Sequence, residues 1–74
     1  MFLGKMLRDE RKKRDLSAQV FAGECGVSRS YITLIENGRR LPGKKIIPKI
    51  AKALGVKNSI VINWYLEDIR EKLQ

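Results

Sequence analysis

The chain has 74 residues, of which 43% are hydrophobic and 32% are charged, and its formal net charge at pH 7 is +8. This length fits one small domain with a modest core. One cysteine and no histidine exclude an internal disulfide and any metal site built from histidines or several thiols. The apolar runs are much shorter than the roughly 20 residues of a membrane span, and the first residues lack a signal-peptide core.

The positive charge is concentrated in residues 1–57, which carry 14 lysines and arginines against five acidic residues. Residues 58–74 carry two basic residues against three acidic ones. A basic body suits a polyanion, and nucleic acid is the first candidate, although such cations can also form a solvated face. Cys25 is expected to be a buried apolar residue in a reducing cytoplasm.

Apolar spacing favours helices throughout the chain and shows no strict alternation typical of strands. The first helix is predicted over about residues 3–14. The second is predicted over 18–25, with the Ser17 hydroxyl capping its first free backbone N–H groups. Gly26 is suited to the left-handed conformation that ends a helix.

Three further helices follow by the same signals. Ser28 is predicted to cap a third helix over about residues 29–37. A fourth runs over about 45–54, with Pro48 tolerated only in its first turn. Asn58 or Ser59 is expected to cap the fifth helix, over about 59–73. Residues 1–74 therefore form a single all-α domain of five helices.

Helices two and three are joined by a very short turn at Gly26, which is the geometry of a helix-turn-helix over residues 17–38. Ala22 is small enough for the close approach of the two helices. The apolar side chains predicted to face inward are Phe21, Cys25, Val27, Ile32 and Ile35. The side chains left facing outward from the third helix are Arg29, Ser30, Thr33 and Leu34.

An outward face of this composition can read DNA. A helix of this kind fits the major groove, where arginine pairs with guanine and serine or threonine bonds several bases. Leu34 is either an ordinary exposed leucine or a contact to a thymine methyl group. Lys44 and Lys45 precede the fourth helix beside this face and are expected to contact phosphates.

The stretch "LSAQVFAGECGVSRSYITLIENGRRLP" resembles the Cro/C1-type (Xre) helix-turn-helix family of bacterial and phage regulators. The resemblance also takes in helix one and "PKIAKALGV". It implies a lambda-repressor-like fold and sequence-specific binding of double-stranded DNA, as in phage repressors and restriction–modification controller proteins. The elements that carry it are Ala22, residues 26–28, Ile32, residues 35–38 and residues 54–56.

The resemblance also implies roles for individual residues. Base contacts fall on Arg29, Ser30, Thr33 and Leu34. Contacts to the DNA backbone fall on Gln19, Ser28, Tyr31, Asn37, Arg39, Arg40, Lys44 and Lys45. For Tyr31, packing at the helix edge is an equal alternative. Some family members join helix one to helix three by an ion pair, which predicts one between Arg11 and Glu36. The chain departs from the family at Ala18, where glutamine is frequent.

The fifth helix carries more apolar surface than one helix needs for its own core. One stripe comprises Ile62, Tyr65, Leu66, Ile69 and Leu73. A second comprises Ile60, Val61 and Trp64. One stripe is expected to close the core and the other to meet a partner, although both could pack internally. The residues predicted for a dimer interface are Ile60, Val61, Trp64, Tyr65 and Ile69.

The function predicted from these features is a transcriptional regulator that binds a palindromic operator as a homodimer, in the cytoplasm at the nucleoid. The alternative is an antitoxin-like module whose fifth helix holds another protein. The chain has no catalytic constellation or phosphate-binding glycine loop, which argues against an enzyme. No cofactor, metal, membrane or small-molecule ligand is expected. RNA is less favoured because the chain lacks an aromatic platform.

Overall fold

The computed structural model describes residues 2–73 and contains five α-helices and no strand within that range, which confirms the predicted all-α class. None of these helices has the length and apolar character needed to cross a bilayer. The fourth helix begins two residues later than predicted, because residues 44–46 form a turn. The helices are α1 (Phe2–Lys13), α2 (Ala18–Cys25), α3 (Arg29–Glu36), α4 (Ile47–Leu54) and α5 (Asn58–Lys72).

Two serine caps and one glycine define the helix-turn-helix. The Oγ of Ser17 accepts a hydrogen bond from the N–H of Val20, and the Oγ of Ser28 accepts one from Tyr31, each at 3.1 Å. Gly26 ends α2 with a φ of +69°, which glycine adopts without steric cost. These three predictions are confirmed.

The two later helices begin without a side-chain cap. Pro48 lies in the first turn of α4, as predicted, where its missing N–H removes no helical hydrogen bond. The cap expected at Asn58 or Ser59 is wrong, because Lys57 occupies the cap position and its side chain makes no capping hydrogen bond. Asn58 is already the first helical residue of α5.

The core lies within a ring of packed helices, in which α1 contacts α5 and α3, α4 contacts α5 and α2, and α2 contacts α3. Four of the five inward positions predicted around the turn are buried, and Val27 is half-buried. The buried apolar residues are Leu3, Leu7, Phe21, Ala22, Cys25, Ile32, Ile35, Ile47, Ile50, Ala51, Leu54, Val61 and Trp64.

The α5 stripe that faces the core is the shorter one, which corrects part of the predicted dimer interface. Val61 is fully buried and Trp64 is 7% exposed, so both fill the core of the subunit and leave almost no surface for a partner. Tyr65 and Ile69 are half-buried at the edge of this stripe. Ile60 is 41% exposed, and at about 100° per residue it lies on the opposite edge.

Asp68 occupies the same buried face of α5 as Val61 and Trp64 and is only 1% exposed. Its carboxylate accepts hydrogen bonds from the backbone N–H groups of Phe2 at 2.7 Å and Leu3 at 3.0 Å. A carboxylate at a helix N-terminus satisfies free N–H groups and opposes the positive end of the helix dipole. Asp68 is therefore the cap of α1, supplied from the last helix of the fold.

α1 approaches the end of α3 so closely that Gly4 has no room for a side chain. A Cβ at this position would overlap the carbonyl oxygen of Ile35 and lie 2.9 Å from that of Glu36. Both obstacles are backbone atoms, so they cannot move aside by a change of rotamer.

The substitution Gly4→Ala is expected to lower the free energy of unfolding by roughly 1–3 kcal/mol, as overpacking does elsewhere. Urea denaturation followed by circular dichroism would measure the change. The matched control is Gly23→Ala in α2, where an added Cβ meets nothing within 4 Å. The control should be up to about 1 kcal/mol more stable than the parent, because alanine favours helices. Equal effects of the two substitutions would contradict the close contact.

Cys25 is fully buried, as predicted, and burial raises the pKa of its thiol to about 11. The neighbouring Glu24 carboxylate acts in the same direction, and the Lys49 ammonium opposes it. The folded state therefore holds the thiol proton more tightly than the unfolded chain, whose ordinary thiol pKa is 9.0.

This shift predicts a loss of stability at alkaline pH. The contribution of the protonated Cys25 thiol to the free energy of unfolding is fully present below pH 9.0 and is lost as the pH rises through about 11. Urea unfolding at neutral pH and at several points across that window should show a decrease that is smaller in Cys25→Ala. Identical pH profiles for the two proteins would show that the thiol contributes nothing.

Candidate nucleic-acid interface

The outer face of α3 carries the four side chains predicted to contact bases. They are exposed and line one shallow groove on the surface of this helix. The opposite face of the same helix buries Ile32 and Ile35, which fixes the rotation of α3 about its axis. The groove-lining residues are Arg29, Ser30, Thr33 and Leu34.

The N-terminus of α3 lies at one end of this groove. Ser28 is exposed, and its Oγ caps the helix by accepting from Tyr31. The first backbone N–H groups of a helix point out of its end and carry partial positive charge, an arrangement that suits phosphate. Gln19 is exposed in the first turn of α2.

Tyr31 attaches the loop after α3 to the helix itself. Its hydroxyl oxygen accepts a hydrogen bond from the N–H of Gly43 at 2.9 Å. The guanidinium carbon of Arg40 lies 4.7 Å from the centre of the tyrosine ring, within the range of a cation–π contact. Of the two roles considered for Tyr31, packing at the helix edge is therefore present, and the hydroxyl hydrogen is left for another acceptor.

The cations of α3 and of the following loop differ in their partners from Lys13 and Arg14 at the end of α1. Lys13 and Arg14 lie 3.2 and 2.7 Å from Glu10, and Arg14 first and then Lys13 lower the pKa of that carboxyl. Within residues 2–73, by contrast, no carboxylate lies within 4.0 Å of the exposed cations of α3 and of the loop that follows it. These cations are Arg29, Arg39, Arg40, Lys44 and Lys45.

The ion pair predicted between α1 and α3 is present. Nε and one terminal nitrogen of Arg11 donate to the two carboxylate oxygens of Glu36, at 2.7 and 3.1 Å. The remaining terminal nitrogen donates to the carbonyl oxygen of Leu16 at 2.6 Å. The Glu36 carboxylate raises the pKa of Arg11, which stays charged although it is 9% exposed. This pair links the end of α3 to α1 and to the segment before α2.

Arg8 is a neighbour of this pair that the sequence analysis missed. One of its terminal nitrogens donates to Oδ1 of Asn37 at 2.9 Å, and its Nε lies 3.6 Å from Glu36. Its spacing of three residues from Arg11 places both arginines on one face of α1, which is the signal that could have identified it.

Comparison with known proteins agrees with this geometry. A family model described as Helix-turn-helix (HTH_3) matches residues 7–57. The chain is 43% identical over 69 residues to the ImmF control region 10 kDa protein of Bacillus phage phi105, covering 93% of this chain and 77% of the relative. It is 40% identical over 65 residues to the control protein C.BamHI of Bacillus amyloliquefaciens, covering 86% and 80%.

A solved structure is also similar. The restriction–modification controller protein C.AhdI of Aeromonas hydrophila superposes with a TM-score of 0.75 at 32% identity, over 80% of this chain and 89% of that one. Other relatives are longer, and the chain spans 41% of the length of two of them. The match to the family model covers most of the chain and contains the whole helix-turn-helix. The chain belongs to the Cro/C1-type (Xre) helix-turn-helix family of DNA-binding transcriptional regulators.

Proposed function

We propose that this protein reads double-stranded DNA with α3 in the major groove and regulates transcription by occupying an operator. The observation that carries the proposal is the outward face of α3 beside exposed cations that have no carboxylate within 4.0 Å among the described residues. Such cations can neutralise phosphates without first breaking an internal ion pair. Similarity to control proteins of phage and restriction–modification systems supports the regulatory role.

Two groups of contacts follow from the proposal. Arg29 pairs with a guanine, Ser30 and Thr33 bond base edges, and Leu34 contacts a thymine methyl group. The second group holds the DNA backbone and fixes the register of α3 on the duplex. It comprises Gln19, Ser28, Tyr31, Asn37, Arg39, Arg40, Lys44 and Lys45.

The proposal includes a homodimer built on the outer stripe of α5. Ile62 is 41% exposed, Leu66 is 50% exposed and Leu73 is 83% exposed, with Tyr65 and Ile69 half-buried beside them. A two-fold axis along this stripe would bury apolar surface that one subunit leaves in water. Two copies of α3 would then lie about 34 Å apart and match a palindromic operator. We further propose that the protein acts on such DNA in the cytoplasm, at the nucleoid.

Selection of bound sequences from random duplex DNA tests the proposal most directly. The expected result is a palindromic consensus whose half-sites are about 10 base pairs apart. The control protein is Arg29→Ala, which should select a consensus degenerate at one position of each half-site. Recovery of no enriched sequence at moderate salt would contradict specific reading of DNA.

Equilibrium sedimentation at micromolar concentration tests the dimer. The parent should sediment as a dimer of the 8.5 kDa chain, and Leu66→Lys as a monomer because it places a charge in the apolar stripe. The matched control is Glu71→Lys, an exposed position on the same helix, which should remain dimeric. A monomeric parent, both free and on DNA, would overturn the homodimer. A second protein tightly bound to this stripe would instead favour the antitoxin-like alternative.

A further inference from the structure

The side-chain amide of Asn37 stands immediately after α3, beside the proposed reading face, and it is exposed. An amide has a donor end and an acceptor end, and the two look alike in shape. A phosphate oxygen only accepts hydrogen bonds. Asn37 can therefore hold the DNA backbone only if its NH₂ group, and not its oxygen, faces the DNA.

Arg8 determines which end of this amide faces outward. Every polar hydrogen of a guanidinium is a donor, so its partner must be an acceptor. The terminal nitrogen of Arg8 lies 2.9 Å from Oδ1 of Asn37, and this contact commits the oxygen to α1. The NH₂ group is then left for an acceptor outside the subunit.

Arg8 is itself held by a series of charged contacts that leads back to the core. Its Nε lies 3.6 Å from Glu36, whose side chain is 5% exposed. Glu36 is fixed in turn by two hydrogen bonds from Arg11, and Arg11 by the carbonyl oxygen of Leu16. The side chain of Arg8 is 45% exposed. Water can therefore solvate its charge, and the contacts to Glu36 and Asn37 are not needed to compensate a buried charge.

From these contacts we propose that Arg8 is a positioning residue for DNA binding, which sets the amide of Asn37 so that its NH₂ group faces a backbone phosphate. This inference rests on the proposed function. It assigns to Arg8 an effect transmitted through Asn37, and not an independent phosphate contact. Asn37 of the free protein is thus already in the orientation that the bound state uses, which reduces the ordering cost of binding.

A double-mutant cycle on the selected operator tests the inference. Arg8→Met and Asn37→Ala should each weaken binding by roughly 2- to 10-fold, the range of one hydrogen bond. Because Arg8 acts through Asn37, the double variant should lose no more affinity than the single variant that binds DNA less tightly. Fluorescence anisotropy at several salt concentrations would measure the affinities. The salt dependence of Arg8→Met should match that of the parent, whereas a lost phosphate contact lowers the log–log slope by about 0.9 per subunit.

A second measurement needs no DNA and guards against a variant that merely loses stability. Nitrogen relaxation of the Asn37 side-chain amide should report an ordered group in the parent and a mobile one in Arg8→Met. The control is Lys12→Met, which removes an exposed cation from the same helix and should leave the Asn37 amide ordered.

The outcomes separate this inference from the proposed function. Additive effects of the two substitutions, a lower salt slope for Arg8→Met, or an amide equally mobile in parent and variant would overturn the role of Arg8. A parent that selects no operator would overturn the proposed function itself. Binding that responds to Arg29→Ala but not to Arg8→Met would leave the function intact and reject only the positioning role.

Discussion

Replacing Arg29 with alanine should abolish the preference for one base at one position of each half-site. The free energy of binding to the operator with the preferred base should become less favourable by about 1–3 kcal/mol. The reason is positional. Arg29 is the first residue of α3, exposed at the end of the groove on its outer face, and no carboxylate lies within 4.0 Å of it among residues 2–73. Competition binding against operators changed at single base pairs would measure the loss.

The control for this experiment is Arg39→Ala. Arg39 is exposed in the loop beyond α3, and its loss should weaken all sequences alike and lower the salt dependence of binding by about 0.9 in log–log slope for each contact. If Arg29→Ala keeps the full base preference of the parent, a different face of α3 reads the bases.

Replacing Glu36 with leucine should lower the free energy of unfolding by about 3–5 kcal/mol, the range for removing one partner of a buried ion pair. The side chain of Arg11 is 11% exposed, and without Glu36 it keeps only the Leu16 carbonyl as its partner. For a domain of this size such a loss is a large part of the total stability. Urea denaturation, with the midpoint and slope both fitted, would measure it.

The double variant Arg11→Met/Glu36→Leu tests the cause of that loss. Because an uncompensated charge is the source of the penalty, removal of both charges should restore much of the stability. DNA binding should remain impaired in the double variant, since the hydrogen bonds that join α1 to the end of α3 are absent. A double variant as unstable as Glu36→Leu would mean that packing, and not charge, accounts for the effect.

The parts of the fold that the sequence predicted correctly depend on local chemistry. A serine before a helix and a glycine after one act within a few residues, so Ser17, Ser28 and Gly26 were recognisable without knowledge of the tertiary structure. The outward face of α3 followed from the same kind of reasoning. Its apolar residues repeat at helical spacing along one side. Because that side must face the core, the residues on the other side of this short helix must face outward.

Apart from the cap of α5 and the start of α4, which were local errors, the parts that were missed depend on contacts between distant segments. Both stripes of α5 are apolar enough to form part of the core. Packing against α1 and α4 decides which of them faces inward. The capping carboxylate of Asp68 and the contact from Arg8 to Asn37 each join residues that are far apart in the chain. The bond from Gly43 to Tyr31 also belongs to this group, because a loop without regular structure gives no periodic signal.

The cap that α5 provides for α1 makes the order of assembly matter. The hydrogen bonds from Phe2 and Leu3 to Asp68 span 66 and 65 residues of sequence, so the cap of α1 cannot form until nearly all of the domain has been synthesised. α1 also packs against the end of α3, at Gly4 and through the ion pair of Arg11 with Glu36. The turns of the helix-turn-helix rest on local caps, but the contacts that fix the end of α3 come from α1. Folding of this domain and competence to bind DNA should therefore appear in a single cooperative step.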